Sequence, residues 1–556
     1  MEKIDKTKIT RREFMEKAGK TAAVFAVAGS IPSITGCAKT SEQAYDVLIK
    51  GGTIYDGVLS EPFVSDIGVK GDKIAAIGKL DGNAEKIIDA TGLIVTPGFI
   101  DAHTHCDLTF KKLGAKRYLA YVMPSWKGNY NYIYQGVTTV VTGNCGYGYT
   151  DFNQWSGIVD SVGFGTNVYH LVPHGMIREE LFGDNQPAEL SAKQLDAIKS
   201  RVAEEMEKGA VGMSTGLEYA PGLLSKTEEL IELCKVVRRY GGLYTTHMRD
   251  ESGKKNSREI PGVLESIGEA VEIGRRAEIS VEISHLKIAA PIDNTRASQL
   301  LRLIEKARKE GLDLFADQYP YAAGSTYLSI LLPDEFKTSV GVKDTYKTKE
   351  GRTQIKKAIE EVFSYMGPEK TLITMYSEKE SYEGKTVKDI AEIEGRNPSD
   401  SFVDMVCEDT APMAVFFSQD INIVKALMPK EYIITASDGW TVPKDMTKPH
   451  PRVYGTFPKK LRKFVLDEKL MDLPMAIRSM TSMPAEKFNM KGRGKIAKDN
   501  YADIAMIDIN TITDHATYKD PHQYSEGVVN LLVNGKLSIQ NGTATGTRGG
   551  RALKRV

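Results

Sequence analysis

The chain has 556 residues with 73 basic and 73 acidic side chains, hence no formal net charge, and so it lacks the electrostatic footprint of a nucleic-acid binder. Hydrophobic content of 41% beside 26% charged residues is ordinary for a globular protein. The length exceeds one common domain and leaves room for a barrel of about 250 residues or more plus a smaller domain. Small-molecule chemistry is the class these figures leave in front.

The first forty-odd residues read as a targeting segment. Thr10-Arg11-Arg12-Glu13-Phe14-Met15 precedes an apolar run from about Thr21 to Ile34, the layout of a twin-arginine signal. That run is shorter than the roughly twenty residues a membrane-spanning helix needs. Ile34-Thr35-Gly36-Cys37 is similar to the lipobox of bacterial lipoproteins, although Ile34 and Thr35 depart from its usual residues. Cys37 is therefore the expected lipidated N-terminus of the mature chain, with an ordinary cleavable signal as the plainer alternative. Residues 1–44 are assigned to signal and linker, and the mature protein is expected outside the cytoplasm, in the periplasm or its equivalent, attached to a membrane. Cys106, Cys145, Cys234 and Cys407 are too scattered for a disulfide framework. Cys234 lies in a helical pattern and reads as core, and Cys106 should face away from the neighbouring His105.

From Tyr45 the pattern alternates and turns as short antiparallel strands do, first around Gly51-Gly52 and then around Lys70-Gly71-Asp72-Lys73. A second β-rich set lies at 491–556. Between them, over about 99–490, apolar strand-like runs alternate with amphipathic helical stretches such as Ser191 to Gly209, which argues for α/β units. From about 332 to 412 a Lys- and Glu-rich segment interrupts this rhythm and reads as a small insertion near the barrel mouth.

Several of these runs end in residues that bind metals or move protons. Gly92 to Asp101 reads as one buried strand, and His103 and His105 follow it two residues apart, a spacing that sends both imidazoles to one side. Cys145, His247 and His285 also come just after apolar runs, so a parallel barrel would gather all five at its C-terminal mouth. Thiolate together with imidazole selects zinc over hard ions such as magnesium. Asp438, at the end of Tyr432-Ile-Ile-Thr-Ala-Ser, is the candidate acid/base, because a carboxylate beside an activated water can take its proton and pass one to a departing amine. His170, His174, His515 and His522 read as structural or surface groups, with His174, in Val172-Pro-His-Gly, also placed to line a pocket.

The stretch Pro97-Gly-Phe-Ile-Asp-Ala-His-Thr-His105 resembles the signature of the amidohydrolase superfamily. Gly143-Asn-Cys-Gly146, Gly212-Met-Ser-Thr-Gly-Leu-Glu-Tyr219, Thr246-His-Met-Arg249, Ile283-Ser-His-Leu-Lys287, Asp317-Gln-Tyr-Pro-Tyr321 and Ser437-Asp-Gly439 narrow the resemblance to the D-aminoacylases, or N-acyl-D-amino-acid deacylases, from about Tyr45 to the C-terminus. The resemblance implies a (β/α)8 TIM-like barrel over 99–490. Beside it would lie a small β-sandwich built from both chain ends, residues 45–98 and 491–556. It implies one tight zinc on Cys145, His247 and His285 and a second, weaker position at His103 and His105. The substrate carboxylate would then meet Arg452, in His450-Pro-Arg, with Tyr319, Ser325, Lys287 and Tyr219 around it. The expected reaction is zinc-dependent hydrolysis of N-acyl-D-amino acids to a carboxylate and a free D-amino acid. The rival readings are a cyclic-amide hydrolase of the dihydropyrimidinase or dihydroorotase kind, and a surface lipoprotein that binds without catalysis. Cys145 stands where the former would supply a carboxylated lysine, and the latter would have lost ligands that are all present here.

Overall fold

The computed structural model describes residues 44–112, 124–184, 186–291, 295–338, 341–408, 411–442 and 446–556. The twin-arginine pair and Cys37 lie outside the described residues. Eight short runs form the central strands: β1 Phe99–Asp101, β2 Val137–Thr142, β3 Asn167–His170 continued by Val172–Pro173, β4 Gly212–Gly216, β5 Leu243–His247, β6 Val281–Ile283, β7 Leu314–Gln318 and β8 Ile433–Thr435. Every residue in them is buried, as parallel strands covered on both faces require. They pair in parallel from β1 through β8 in chain order. A parallel bridge of Thr104 to Gly439 closes the ring, with the Asp438 N–H donating to the His103 carbonyl at 3.0 Å and the His105 N–H to the Gly439 carbonyl at 2.7 Å. The result is a (β/α)8 barrel.

Amphipathic helices fill the crossovers. Thr227–Arg239 buries Leu230, Ile231, Leu233, Cys234, Val236 and Val237 along one face and carries Arg238 and Arg239 in its last turn, where cations suit the helix dipole. Each aliphatic side chain fully buried this way stabilises the fold by about 1.5–3 kcal/mol. Ala192–Lys208 starts from a capping box between Ser191 and Gln194, which satisfies two otherwise unpaired N–H groups.

The apolar run from Gly92 to Asp101 is not one strand. Ile94–Pro97 pairs antiparallel with Ile504–Ile507, whereas Phe99–Asp101 pairs with β2 in the barrel. Gly98 makes the switch: its N–H donates to the Asp503 carbonyl at 2.8 Å, and a Cβ there would lie 2.2 Å from Thr138 Cγ2. Strands from both chain ends thus share a nine-stranded sheet, in which Tyr45–Ile54 pairs with Phe63–Lys70, Ala84–Asp89 and Ile94–Pro97. Cys106 differs from its sequence reading as well, since it opens the helix Cys106–Lys112 rather than extending a strand.

Between β7 and β8, strands Gly324–Tyr327, Thr371–Met375 and Met413–Phe416 form a separate antiparallel sheet. Helices Lys349–Tyr365 and Pro398–Cys407 pack with it around Ile355, Ile373 and Phe402. Its first strand carries Ser325 to the barrel mouth.

Candidate metal centre and active site

The C-terminal ends of β1, β2, β5, β6 and β8 deliver His103 and His105, Cys145, His247, His285 and Asp438 to one place. Cys145 Sγ lies 3.2 Å from His103 Nε2 and 3.5 Å from His285 Nε2, and His285 Nε2 lies 2.9 Å from His247 Nδ1. Asp438 Oδ1 is 3.3 Å from His105 Nε2 and 3.7 Å from His103 Nε2. Among the described residues four groups have ligand atoms all within 4.8 Å of one another: His103, His105 and Cys145; Cys145, His247 and His285; His103, His285 and Asp438; and Glu218, His247 and Glu251. Cys145, His285 and Asp438 each have a left-handed backbone, with φ of 53°, 37° and 49°. That conformation is uncommon outside glycine and costs energy, and it concentrates where side chains must be aimed.

Three imidazoles are oriented by carboxylates. His103 Nδ1 meets Asp317 Oδ2 at 3.0 Å, His247 Nε2 meets Glu218 Oε2 at 3.0 Å, and His285 Nδ1 lies 3.1 Å from Glu251 Oε1. At His103 and His247 the nitrogen facing the carboxylate carries hydrogen and leaves the other nitrogen's lone pair pointing inward, the usual support of a metal-binding histidine, whereas His285 Nδ1 also lies 2.8 Å from Lys287 Nζ. Asp317 also accepts the His285 N–H at 2.9 Å, and Asp101 accepts both the His103 and Ser437 N–H groups, which ties β1 to the end of β8.

Electrostatics favour positive charge in the cluster. Burial lowers the His247 and His105 pKa values, but Glu251, Cys145 and Glu218 outweigh it at His247, raising it to about 10, and Asp438 and Cys145 raise His105 to about 9. Burial pushes the Cys145 thiol up, yet His103 and His285 bring it well below its ordinary value. The same carboxylates and thiolate that favour protons here favour any cation, and with the protons displaced the imidazole nitrogens and the thiolate make a donor set that suits a divalent cation of the zinc type.

Burial likewise raises Asp438, but Arg452 and His285 hold it well below the usual carboxylate range. Arg452 Nη1 pairs with Asp438 Oδ2 at 2.9 Å, its Nη2 donates to the Ser325 carbonyl at 3.1 Å, and its guanidinium sits 4.7 Å from the Tyr319 ring centre. Although Arg452 is buried, its Nε and Nη1 make no aligned hydrogen bond, an arrangement that costs free energy until an acceptor arrives. Tyr319 accepts from Gln419 Nε2 at 3.0 Å, Tyr219 and Thr326 share a hydroxyl contact at 2.9 Å, and Lys287 Nζ is 2.5 Å from Glu251 Oε2. All five residues expected around a substrate line the mouth.

Sequence reading had no role for Glu218, Glu251 and Asp317. Each lies on or within four residues of a strand that supplies a histidine or adjoins one, which is the signal that marks them. His174 does not line the mouth. It pairs with Glu229 at 2.9 Å, which also takes Arg178, while His170 is buried between Thr142 and Tyr149.

The family model described as "Amidohydrolase family" matches residues 86–328 and 384–539. D-aminoacylase of Alcaligenes xylosoxydans xylosoxydans is 31% identical over 93% of this chain and 99% of its own. A solved structure of N-acyl-D-glutamate deacylase from Bordetella bronchiseptica, complexed with zinc and a phosphonate inhibitor, aligns with TM-score 0.76 at 29% identity over 92% of this chain and 99% of its own. A structure of D-aminoacylase described with a binuclear metal centre aligns equally well, at 29% identity, TM-score 0.76 and 92% and 100% coverage. The chain belongs to the amidohydrolase family, in its D-aminoacylase branch. It is a metal-dependent hydrolase acting on linear amides.

Proposed function

We propose that this chain hydrolyses N-acyl-D-amino acids to a carboxylate and a free D-amino acid. The observation that carries the reading is the cluster of Cys145, His247 and His285, whose His285 also groups with His103 and Asp438, with buried Arg452 paired to Asp438 beside it. Similarity over nearly the whole chain to proteins that act on such substrates supports it. Cys145, His247 and His285 would hold a tight zinc, and His103 and His105 a second, weaker one sharing Cys145. Zinc supplies polarisation of a carbonyl and acidification of water toward neutral pH.

The remaining work falls to the protein's own groups. Asp438, kept ionised by Arg452, takes the proton of the attacking water at Oδ1 and returns it to the departing amine nitrogen. Arg452 turns Nε and Nη1, which make no aligned hydrogen bond, to the substrate carboxylate, and the Tyr319 ring fixes the guanidinium plane. Lys287, Ser325 and Tyr219 complete the pocket. With carboxylate and carbonyl both held, the Cα hydrogen and side chain have assigned directions, and an L-isomer meets a wall. Export by the twin-arginine route and anchoring through Cys37 belong to the same proposal and rest on residues 10–37 alone.

The test is a panel of N-acetyl-D- and N-acetyl-L-amino acids with purified, zinc-loaded enzyme. The D-series should be cleaved well above the L-series. Equal kcat/KM on both enantiomers would overturn the assignment, and rapid opening of hydantoin or dihydrouracil rings instead would replace it.

A further inference from the structure

The barrel mouth forks. Ser325, Arg452, Asp438 and His285 line both branches. Tyr319, Lys287 and Glu251 line only one. The other, a cavity of about 90 Å³, is walled by Leu108, Tyr147, Tyr327, Met413, Trp440 and Val453 and adds no Lys, Arg, Asp or Glu to those at the junction. If the deacylase reading holds, the amino-acid half points toward Tyr319 and Lys287. The scissile carbonyl carbon bears nitrogen on one side and the acyl chain on the other, so the acyl chain enters the apolar branch.

We infer that this apolar branch is an acyl subsite selecting apolar acyl groups longer than acetyl. Leu108, Tyr147, Tyr327, Met413 and Trp440 are each only partly buried, which sets apolar surface against water unless a ligand covers it. The size agrees. Benzene occupies an apolar cavity of about 150 Å³, so this branch has room for a chain of a few carbons and more than a single methyl needs. The walls are braced rather than loose. The Tyr147 ring meets Tyr327 edge-on at 6.4 Å and Tyr219 at 5.7 Å, and the Trp440 carbonyl accepts from Asn131 Nδ2 at 3.1 Å.

Each methylene buried there is worth about 0.8 kcal/mol, or about fourfold in kcat/KM. The experiment compares N-acetyl, N-propionyl and N-butyryl derivatives of one D-amino acid. Butyryl over acetyl should favour the longer chain by on the order of tenfold, and Trp440→Ala should reduce that ratio. Free acetate, propionate and butyrate are tested in parallel as inhibitors of the wild type, which does not depend on the variant folding, and inhibition should strengthen along the series. N-acetyl substrates cleaved as fast as the longer ones, with no trend among the inhibitors, would overturn the acyl subsite and leave the deacylase reading standing. Failure to cleave any N-acyl-D-amino acid would overturn both.

Discussion

Lys460 offers a stability test that is independent of the metal centre. Its side chain is 2% exposed behind β8, and Nζ donates to Thr435 Oγ1 at 2.7 Å and Ser479 Oγ at 2.8 Å, with no carboxylate paired to it among the described residues. Burial pushes its pKa from 10.5 down to about 7. Between about 7 and 10.5 the unfolded chain holds a proton that the folded chain has shed, so this group makes stability rise with pH by about 1.4 kcal/mol per unit. Below about 7 both states are charged, and the folded state bears the whole cost of burying an ammonium, at most about 4–5 kcal/mol. Lys460→Met removes the charge but keeps the volume. The two hydroxyls stay satisfied, because they lie 3.1 Å apart and Ser479 Oγ also donates to the Ala476 carbonyl at 2.7 Å. Denaturant unfolding of both proteins from pH 6 to 9.5 should therefore show the variant's advantage as largest at pH 6 and shrinking as pH rises. Taking the difference cancels the other titrating groups, and a difference that stays flat with pH would refute the reasoning.

Asp438→Asn should retain zinc yet lose roughly 10²–10⁴-fold in kcat, the scale of general acid–base catalysis, and metal analysis beside kinetics checks both halves. Asp317→Asn and Glu218→Gln, which weaken the hold on His103 Nδ1 and His247 Nε2, should lower metal affinity about 10–100-fold, read by competition with a chelator. Gly146→Ala should destabilise the chain and disturb the site, because φ there is +73° and the new Cβ would lie 2.9 Å from the Gly216 nitrogen. Thermal unfolding and zinc content of that variant should fall together.

The local features of this site are written in short windows of sequence. Two histidines two residues apart after an apolar run, a cysteine between glycines and an aspartate closing Ile-Ile-Thr-Ala-Ser identify the donors, because strand periodicity and backbone freedom act over a few residues. The alternation of strand-like and helical stretches likewise announces an α/β barrel. What only the tertiary structure decides is which groups meet across the ring. Asp317 reaches His103 across 214 positions. Arg452, whose guanidinium the sequence assigns to substrate alone, is paired with Asp438, and an apolar run that looks like one strand is divided at Gly98 between two sheets. The fork at the mouth is formed by loops and strands from widely separated parts of the chain, from Leu108 to Val453. These contacts follow from closing eight strands into a ring, which sets the angle and depth of every side chain at its end, and no window of a few residues contains that closure.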